Sequence, residues 1–200
     1  MELKNIIALA EEEGIRDQGF VDALARVVDE NGVNNVNTIA VSGSQGSGKS
    51  TFARILSKLL VNELDKSNTI LSLDDFYKTR AERAQLASTL HPLFFTRGVP
   101  GTHDAGLMLD VKNKLLQGGA LEMPVFDKGS DDRLAQPKLV GPVDLVILEG
   151  WCFSAIAQDS EALTQPVNDL ERIQDPEGIW RREVNQQLKG HDYQQLFEVD

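Results

Sequence analysis

Cysteine and long apolar runs are nearly absent from the sequence. The 200 residues contain one cysteine, Cys152, which excludes an intrachain disulfide. No stretch approaches the about 18 consecutive apolar residues of a membrane-spanning helix. The first residues, MELKNIIALAEEEG, carry acidic groups where a secretory signal needs positive charge. We therefore expect a cytoplasmic protein that does not insert into a membrane.

Positive charge is also scarce. Twenty lysines and arginines stand against 31 acidic residues, so the formal net charge is −11. Such a charge opposes long-range attraction to nucleic acid or to an anionic membrane surface, and we expect neither as a partner. The histidines, His91, His103 and His191, lack the spacing of metal ligands and are expected in loops or on the surface. An anionic ligand must therefore be captured by a local arrangement of donors.

Short β-branched runs alternate with helical patterns along the chain. The apolar runs at 36–42, 69–73 and 143–148 predict buried parallel strands covered by helices on both faces. Helices are predicted for two amphipathic segments within 3–28, from Lys49 onward, over about 104–117, and for a last segment with Asp175 as N-cap and Pro176 at its first position. We predict one α/β domain over 1–200, with a helical packing segment over 1–35 and the functional core over 36–200.

A glycine-rich stretch joins the first strand to the following helix. Residues 43–50 read GSQGSGKS and match the phosphate-binding pattern GxxxxGK[ST] at every fixed position. Glycines let the backbone curl so that its N–H groups point at phosphate oxygens, and the helix N-terminus adds positive potential. Lys49 is expected to reach the β- and γ-phosphates, and the Ser50 hydroxyl to bind Mg²⁺. The residues expected around the nucleotide are Gly43, Ser44, Gln45, Gly46, Ser47, Gly48, Lys49, Ser50 and Thr51, although Thr51 is equally an ordinary residue of the first helical turn. These features predict a P-loop NTPase fold.

Carboxylates follow the other two predicted strands. Asp74 and Asp75 come after the second strand, and Glu149 follows the third. Because ligands of open α/β sheets bind beyond the carboxyl ends of the strands, these groups should face the phosphates. Glu149 is expected to hold Mg²⁺ together with Ser50, and one of the two aspartates to act as the base that accepts a hydroxyl proton. For Asp75 the alternatives are a helix N-cap near Thr79 or exposure to water.

Further segments carry a more specific resemblance. The stretches LSLDDFYKTRAERAQLA, HPLFFTRGVPGTHD, PVFDKGSDDR and LVILEGW resemble the D-glycerate 3-kinase family and its bacterial and fungal relatives. That family lies within the wider uridine kinase, phosphoribulokinase and pantothenate kinase group. The resemblance extends from about Ile39 to the end of the chain, and TRGVPGTHD discriminates far better than the phosphate loop does.

The resemblance implies roles for individual residues. Asp74 matches the catalytic base of the wider group, with Lys49 and Glu149 beside the phosphates. Arg97 is the first choice for an acceptor carboxylate, because its planar fork matches that group and the adjacent Gly98 permits close approach. The other residues expected around the acceptor are Tyr77, Arg80, Thr102, His103, Asp104, Asp127 and Arg133, and Arg83, Phe126 and Lys128 fall in the same segments. A solvated surface charge is the alternative reading of four cations: Arg80, Arg83, Lys128 and Arg133.

These expectations combine into one leading hypothesis. The chain is predicted to be an ATP- and Mg²⁺-dependent kinase that phosphorylates a hydroxyl of a small hydroxylated acid, D-glycerate first. A kinase acting on another alcohol, such as a nucleoside or a pantothenate-like acid, is the alternative within enzymes. A nucleotide-dependent binding module without transferase activity is the alternative from another class.

The resemblance also implies more sequence than the 200 residues supply. After residue 200 it implies a further parallel strand, a lid helix that bears arginines, and a loop that contacts the base of the nucleotide. We therefore expect a C-terminally incomplete fold. The third strand, at 143–148, is expected to lose a neighbour and to expose an apolar edge through which copies of the chain associate.

Overall fold

The structure, a computed structural model, describes residues 3–29, 33 and 35–199. Its helices are α1 (Leu3–Glu12), α2 (Gln18–Asp29), α3 (Lys49–Leu64), α4 (Arg80–Thr89), α5 (Ala105–Leu116), α6 (Asp169–Gln174), α7 (Ile179–Lys189) and α8 (His191–Phe197). Its strands are β1 (Thr38–Ser42), β2 (Asn68–Ser72), β3 (Leu121–Met123), β4 (Phe126–Asp127), β5 (Asp132–Arg133), β6 (Lys138–Val140) and β7 (Leu145–Gly150). Short 3₁₀ turns cover Leu73–Phe76 and Pro92–Phe95.

A parallel sheet of three strands lies at the centre, in the order β1-β7-β2. Every residue of β7 is buried, as expected for a strand that is paired on both sides and covered on both faces. The predicted parallel α/β architecture is confirmed. The prediction that the strand at 143–148 exposes an edge is wrong, because that strand pairs with β1 and β2 and these two are the outer strands.

Alternate residues of β7 face two separate apolar layers. Leu145 and Ile147 pack with α1, α2 and α3, and Val146 and Leu148 pack with α5 and α8. This period of two is the geometry of an extended strand. The predicted N-terminal helices thus cover one face of the sheet, while the two-stranded pairs β3-β6 and β4-β5 lie outside it.

Two predicted boundaries are wrong. Glu149 lies inside β7, since its backbone continues the ladder through Gly150. Asp175 is not the N-cap of the last long helix: it terminates α6, and α7 begins at Ile179 after Gly178, whose φ of 70° favours glycine. The Asp175 carboxylate nevertheless accepts the N–H groups of Trp180 and Arg181, so an acidic group does serve the first turn of α7.

The helices within residues 3–29 and 35–199 fall short of the combined length and apolarity that a membrane crossing requires.

Gly150 provides a test of packing at the end of β7. A Cβ there would lie 2.8 Å from the Phe153 ring and 2.9 Å from Leu73, whereas a Cβ at Gly141 would meet no described atom within 4 Å. We expect Gly150→Ala to lower the free energy of unfolding by about 1–3 kcal/mol, the usual effect of overpacking. Gly141→Ala should leave it within about 0.5 kcal/mol. Urea unfolding of both variants makes the comparison, and equal losses would contradict the close packing around Gly150.

Candidate active site

The glycine-rich loop connects β1 to α3 as its sequence predicts. Gly46 and Gly48 have φ values of 76° and 85°, a region in which other residues are strained. A Cβ at Gly43 would lie 2.6 Å from the Ser47 hydroxyl oxygen, so a side chain at this position would require the Ser47 side chain to move. The conformation therefore depends on glycine, and it presents an exposed turn to solvent at the N-terminus of α3.

Lys49 and Glu149 meet at the base of this loop. The Lys49 Nζ lies 3.6 Å from Glu149 Oε1, and the Glu149 side chain is 6% exposed. The Ser72 hydroxyl donates to Glu149 Oε2 at 2.9 Å. The register explains the meeting, because Glu149 stands opposite Val41 in β1 and Ser72 in β2. The expected convergence of the three strand ends is thus present.

The groups around Lys49 fit a magnesium ion bound with phosphates. Among the residues that the structure describes, no cluster of three or more His, Cys, Asp or Glu side chains could hold a metal ion by itself. Mg²⁺ commonly takes one or two protein oxygens and completes its shell with phosphate and water. The exposed Ser50 in the first turn of α3 and the carboxylate of Glu149 are such oxygens.

Asp74 lies in the 3₁₀ turn that directly follows β2. Its Oδ2 lies 2.6 Å from the Lys128 Nζ, and the Tyr77 hydroxyl also stabilises the charged carboxylate. Burial alone would raise the pKa of Asp74, but the hydrogen bond and charge of Lys128 and the Tyr77 hydroxyl outweigh it and bring the pKa below its usual range. Asp74 is therefore ionised at neutral pH.

Asp75 occupies a different environment in the same turn. Burial, with a contribution from the charge of Asp74, raises the pKa of Asp75 above its usual range although the Phe126 backbone opposes the shift. The alternative that Asp75 caps the next helix is wrong. Thr79 is the N-cap of α4, and it forms a capping box with Glu82. The two neighbouring aspartates thus differ electrostatically. Neighbouring groups stabilise the charged form of Asp74, whereas burial disfavours the charged form of Asp75.

A polar cleft of about 550 Å³ opens between the phosphate loop and Asp74. Residues from four separate parts of the chain line it: Gln45, Asp74, Tyr77, Phe95, Thr96, Arg97, Gly98, Lys128 and Asp131. The tip of the phosphate loop and the candidate base therefore share one solvent-filled space.

Arg97 lies in the wall of this cleft, in the segment that joins the second 3₁₀ turn to α5. Its guanidinium pairs with the Asp131 carboxylate and lies 5.6 Å from the centre of the Phe126 ring. Gly98 follows with a φ of 145°, and its carbonyl accepts the Trp151 indole N–H at 2.9 Å. The side chain of Arg97 is 30% exposed, so part of its fork remains open to the cleft.

Arg83 is a buried support of the cleft wall that contains Arg97. Its side chain is fully buried and donates to the carbonyls of Lys78, Phe95 and Asp131 at 3.2, 2.7 and 2.6 Å. A second contact, 3.0 Å long, joins it to the Asp131 carboxylate. The reading of Arg83 as a solvated surface charge is wrong, because this one side chain links α4, the Phe95 segment and the β4-β5 hairpin.

Arg133 and Asp104 connect the hairpin to α5. The Arg133 guanidinium donates to the Tyr77 carbonyl at 2.8 Å and pairs with Asp104 at 3.1 Å, so a solvated surface charge is wrong for it too. Asp104 is also the N-cap of α5 and accepts the N–H of Leu107.

The remaining predicted acceptor residues differ in exposure. Asp127 accepts the N–H groups of Gly129 and Ser130 and thereby shapes the hairpin turn. Arg80 is exposed on α4, with its guanidinium 5.7 Å from the Phe95 ring. The structure thus gives Asp127 a role in local folding and leaves Arg80 accessible.

Thr102 and His103 lie behind the cleft wall. Thr102 is fully buried, accepts the Gly98 N–H and donates to the Val99 carbonyl. His103 lies in a loop, one of the two places expected for it, but it is 2% exposed and stacks on Tyr77 with 4.4 Å between ring centres. Burial lowers the pKa of His103 to about 3, so the ring is neutral. Its Nδ1 lies 3.1 Å from the Tyr193 hydroxyl.

Sequence reasoning missed Asp131, the shared partner of Arg83 and Arg97. Its φ of 57° is a left-handed conformation that aspartate tolerates better than most residues. An aspartate pair after the glycine and serine of a turn is the local signal that marks this position. Its pairing with two distant arginines leaves no trace in the sequence.

Arg83 and Arg80 form a matched pair for testing the support of the cleft. Arg83→Leu removes a buried cation and leaves its carbonyl partners without a donor, so we expect a loss of about 3–5 kcal/mol in the free energy of unfolding. Arg80→Leu, on the exposed side of the same helix, should cost less than about 1 kcal/mol. Urea unfolding of both variants measures the difference. Similar losses in the free energy of unfolding would show that Arg83 does not stabilise the cleft wall.

Comparison with known proteins agrees with this geometry. The model of the Phosphoribulokinase / Uridine kinase family matches residues 38–174. The uncharacterized kinase mug58 of Schizosaccharomyces pombe is 37% identical over 174 residues, which are 80% of this chain and 60% of mug58. The solved YGR205w protein matches with a TM-score of 0.69 and 28% identity over 88% of this chain and 65% of its own. D-glycerate 3-kinase from Cryptococcus neoformans matches with a TM-score of 0.69 and 23% identity, over 86% and 68%.

This chain thus spans less than two thirds of the length of mug58 and of the YGR205w protein. The predicted P-loop fold and the resemblance to the uridine kinase and phosphoribulokinase group are confirmed. Because the family match covers residues 38–174 of 200, the chain belongs to the phosphoribulokinase and uridine kinase family.

Proposed function

We propose that the protein is an ATP-dependent kinase that transfers the γ-phosphoryl group to a hydroxyl of a small hydroxylated acid, D-glycerate first. One observation carries the proposal: the phosphate-loop residue Gln45 and the ionised Asp74 line a single cleft that also contains two cations, Arg97 and Lys128. A phosphate donor, a proton acceptor and a site for an anionic acceptor are thereby adjacent.

The nucleotide half of the proposal rests on the loop and its surroundings. The N–H groups of residues 43–51 would bind the phosphates, and the Lys49 ammonium would offset the charge that develops on the transferred group. Ser50 and Glu149 would hold Mg²⁺, which supplies further positive charge between the β- and γ-phosphates when it is bound. The 3.6 Å contact between Lys49 and Glu149 supports a shared location for these roles.

The acceptor half rests on Asp74 and Arg97. Asp74 would accept the proton of the attacking hydroxyl, and the open part of the Arg97 fork would bind the carboxylate of the acid. Tyr77 lines the same cleft and orients Asp74 through its hydroxyl. We assign Thr102, His103, Asp104 and Arg133 to positioning this wall, because their contacts are with protein groups.

Two alternatives remain to be separated by experiment. A kinase for a nucleoside or a pantothenate-like acid has support from the family, whose description includes uridine kinase, and from the aromatic rings of Tyr77 and Phe95 in the cleft. The D-glycerate 3-kinase structure is 23% identical to this chain and supports its fold alone. The choice of D-glycerate as the acceptor is our proposal. An acceptor screen with ADP detection separates these kinases from a binding module, since a module would bind ATP without stimulation by any alcohol.

Lys49 provides a test of the nucleotide half. We expect Lys49→Met to lower kcat for D-glycerate by at least about 10²-fold, since it removes a charge that stabilises the transition state. Lys58→Met is the control, because Lys58 lies on the same helix but pairs with Glu13 on the surface. Turnover with ATP and Mg²⁺ is measured after circular dichroism has shown both variants folded. Near-normal turnover in Lys49→Met would reject the phosphate-loop assignment.

The two neighbouring aspartates test the identity of the base. Asp74→Asn should lower kcat by about 10²–10⁴-fold with little change in ATP affinity, the usual contribution of a positioned base. Asp75→Asn should lower it less. Because the pKa of Asp74 is lowered, kcat/KM of the unmodified protein should decline only as the pH falls below the ordinary range of an aspartate. A larger effect at Asp75 would transfer the role to that residue.

A further inference from the structure

Lys128 covers the candidate base. It lies in the turn between β4 and β5, and its Nζ contacts Asp74 Oδ2 at 2.6 Å. The side chain of Lys128 is 60% exposed and that of Asp74 is 38% exposed, so the ammonium stands at the mouth of the cleft. An oxygen that binds an ammonium at this distance has less capacity to accept a hydroxyl proton.

The backbone that carries Lys128 is held by other groups. Arg83 binds the Asp131 carbonyl at 2.6 Å, and the Asp132 carboxylate accepts the Arg80 N–H at 3.0 Å. The Asp127 carboxylate closes the turn through its bonds to the next N–H groups. The hairpin therefore keeps its place when the flexible side chain of Lys128 leaves Asp74.

Arg97 differs from Lys128 in this respect. Its carboxylate partner, Asp131, is also bound by the fully buried Arg83, so this pair is part of a fixed network. The contact of Lys128 with Asp74 is an exposed ion pair, and such pairs exchange readily for a competing anion. The cleft thus contains one anchored cation and one that can change partner.

We propose that Lys128 makes the cleft selective for anionic acceptors, because it covers Asp74 until the carboxylate of the acceptor draws its ammonium away. This inference rests on the proposed function. Once uncovered, Asp74 accepts the hydroxyl proton as the hydroxyl oxygen bonds to the γ-phosphorus. The bond from that phosphorus to the bridging oxygen breaks, and ADP leaves with the electron pair.

A neutral acceptor does not draw the Lys128 ammonium away from Asp74. A glycerol hydroxyl or a water molecule carries no charge that competes with Asp74 for the ammonium. Lys128 therefore favours an acid over the corresponding alcohol and also restrains transfer of the phosphoryl group to water. This specificity acts through Asp74 in addition to the direct attraction between the acceptor and Arg97.

The test compares D-glycerate with glycerol, which has a hydroxymethyl group in place of the carboxylate. Lys128→Met removes the charge, Lys128→Arg keeps it, and Lys114→Met is the control on the exposed surface of α5. Three quantities are measured with the 200-residue chain: the ratio of kcat/KM for the two acceptors, ATP hydrolysis without acceptor, and calorimetric binding of D-glycerate with a non-hydrolysable ATP analogue.

We expect Lys128→Met to reduce the ratio of kcat/KM by about 10- to 100-fold, the effect of one lost charge-assisted hydrogen bond. Hydrolysis without acceptor should rise several-fold, and binding of D-glycerate should weaken. Lys128→Arg should restore the preference, and Lys114→Met should change none of the three quantities.

The outcomes separate this inference from the proposed function. Transfer to D-glycerate with an unchanged ratio and unchanged hydrolysis in Lys128→Met would overturn the inference and leave the function standing. Binding of D-glycerate that depends on Lys128 in a chain that transfers nothing would support the selective cation and overturn the function. Absence of D-glycerate binding and of transfer in the unmodified chain would overturn both.

Discussion

The parallel register of β7 between β1 and β2 is the constraint on which the site depends. Parallel strands have their carboxyl ends on the same side of the sheet, so the segments that follow them begin close together. Here these segments are the phosphate loop, the turn that contains Asp74 and the segment after Glu149. Because both faces of the sheet are covered by close-packed apolar layers, the carboxyl ends of the strands have little freedom to shift. The N-terminus of α3, whose positive potential favours an anion, is thereby held at the end of β1 in a chain that is acidic as a whole.

The wall of the cleft that contains Arg97 is built in another way. There the segments around the cleft are loops and a short hairpin, and a buried arginine joins them beside the buried rings of Phe94 and Phe126. Burying a guanidinium costs free energy unless each of its donors finds an acceptor, and Arg83 finds the carbonyls of Lys78, Phe95 and Asp131 in addition to the Asp131 carboxylate.

The sequence predicts those features that depend on local geometry. The phosphate loop is of this kind, since its positive φ angles and close contacts require glycine at particular positions. The order of the strands is not of this kind, because it results from crossovers between distant segments, and the sequence therefore does not reveal that β7 lies between β1 and β2. Burial of Arg83 is equally non-local: α4 contains the arginines Arg80 and Arg83, and its pattern does not indicate which of them is buried. The contact between Lys128 and Asp74 likewise joins positions 54 residues apart.

Burial of the stacked His103 makes the folding stability of the chain depend on pH. In the folded chain its pKa lies at about 3, whereas the ordinary value for the ring is 6.5. Below pH 6.5 the ring binds a proton in the unfolded chain but not in the folded chain. Unfolding therefore becomes progressively more favourable as the pH falls from 6.5 toward about 3. Above 6.5 both states are neutral at this ring and the contribution to stability is fully present. The aromatic stack behind Asp74 therefore contributes less to the stability of the folded chain in mildly acidic solution than at neutral pH.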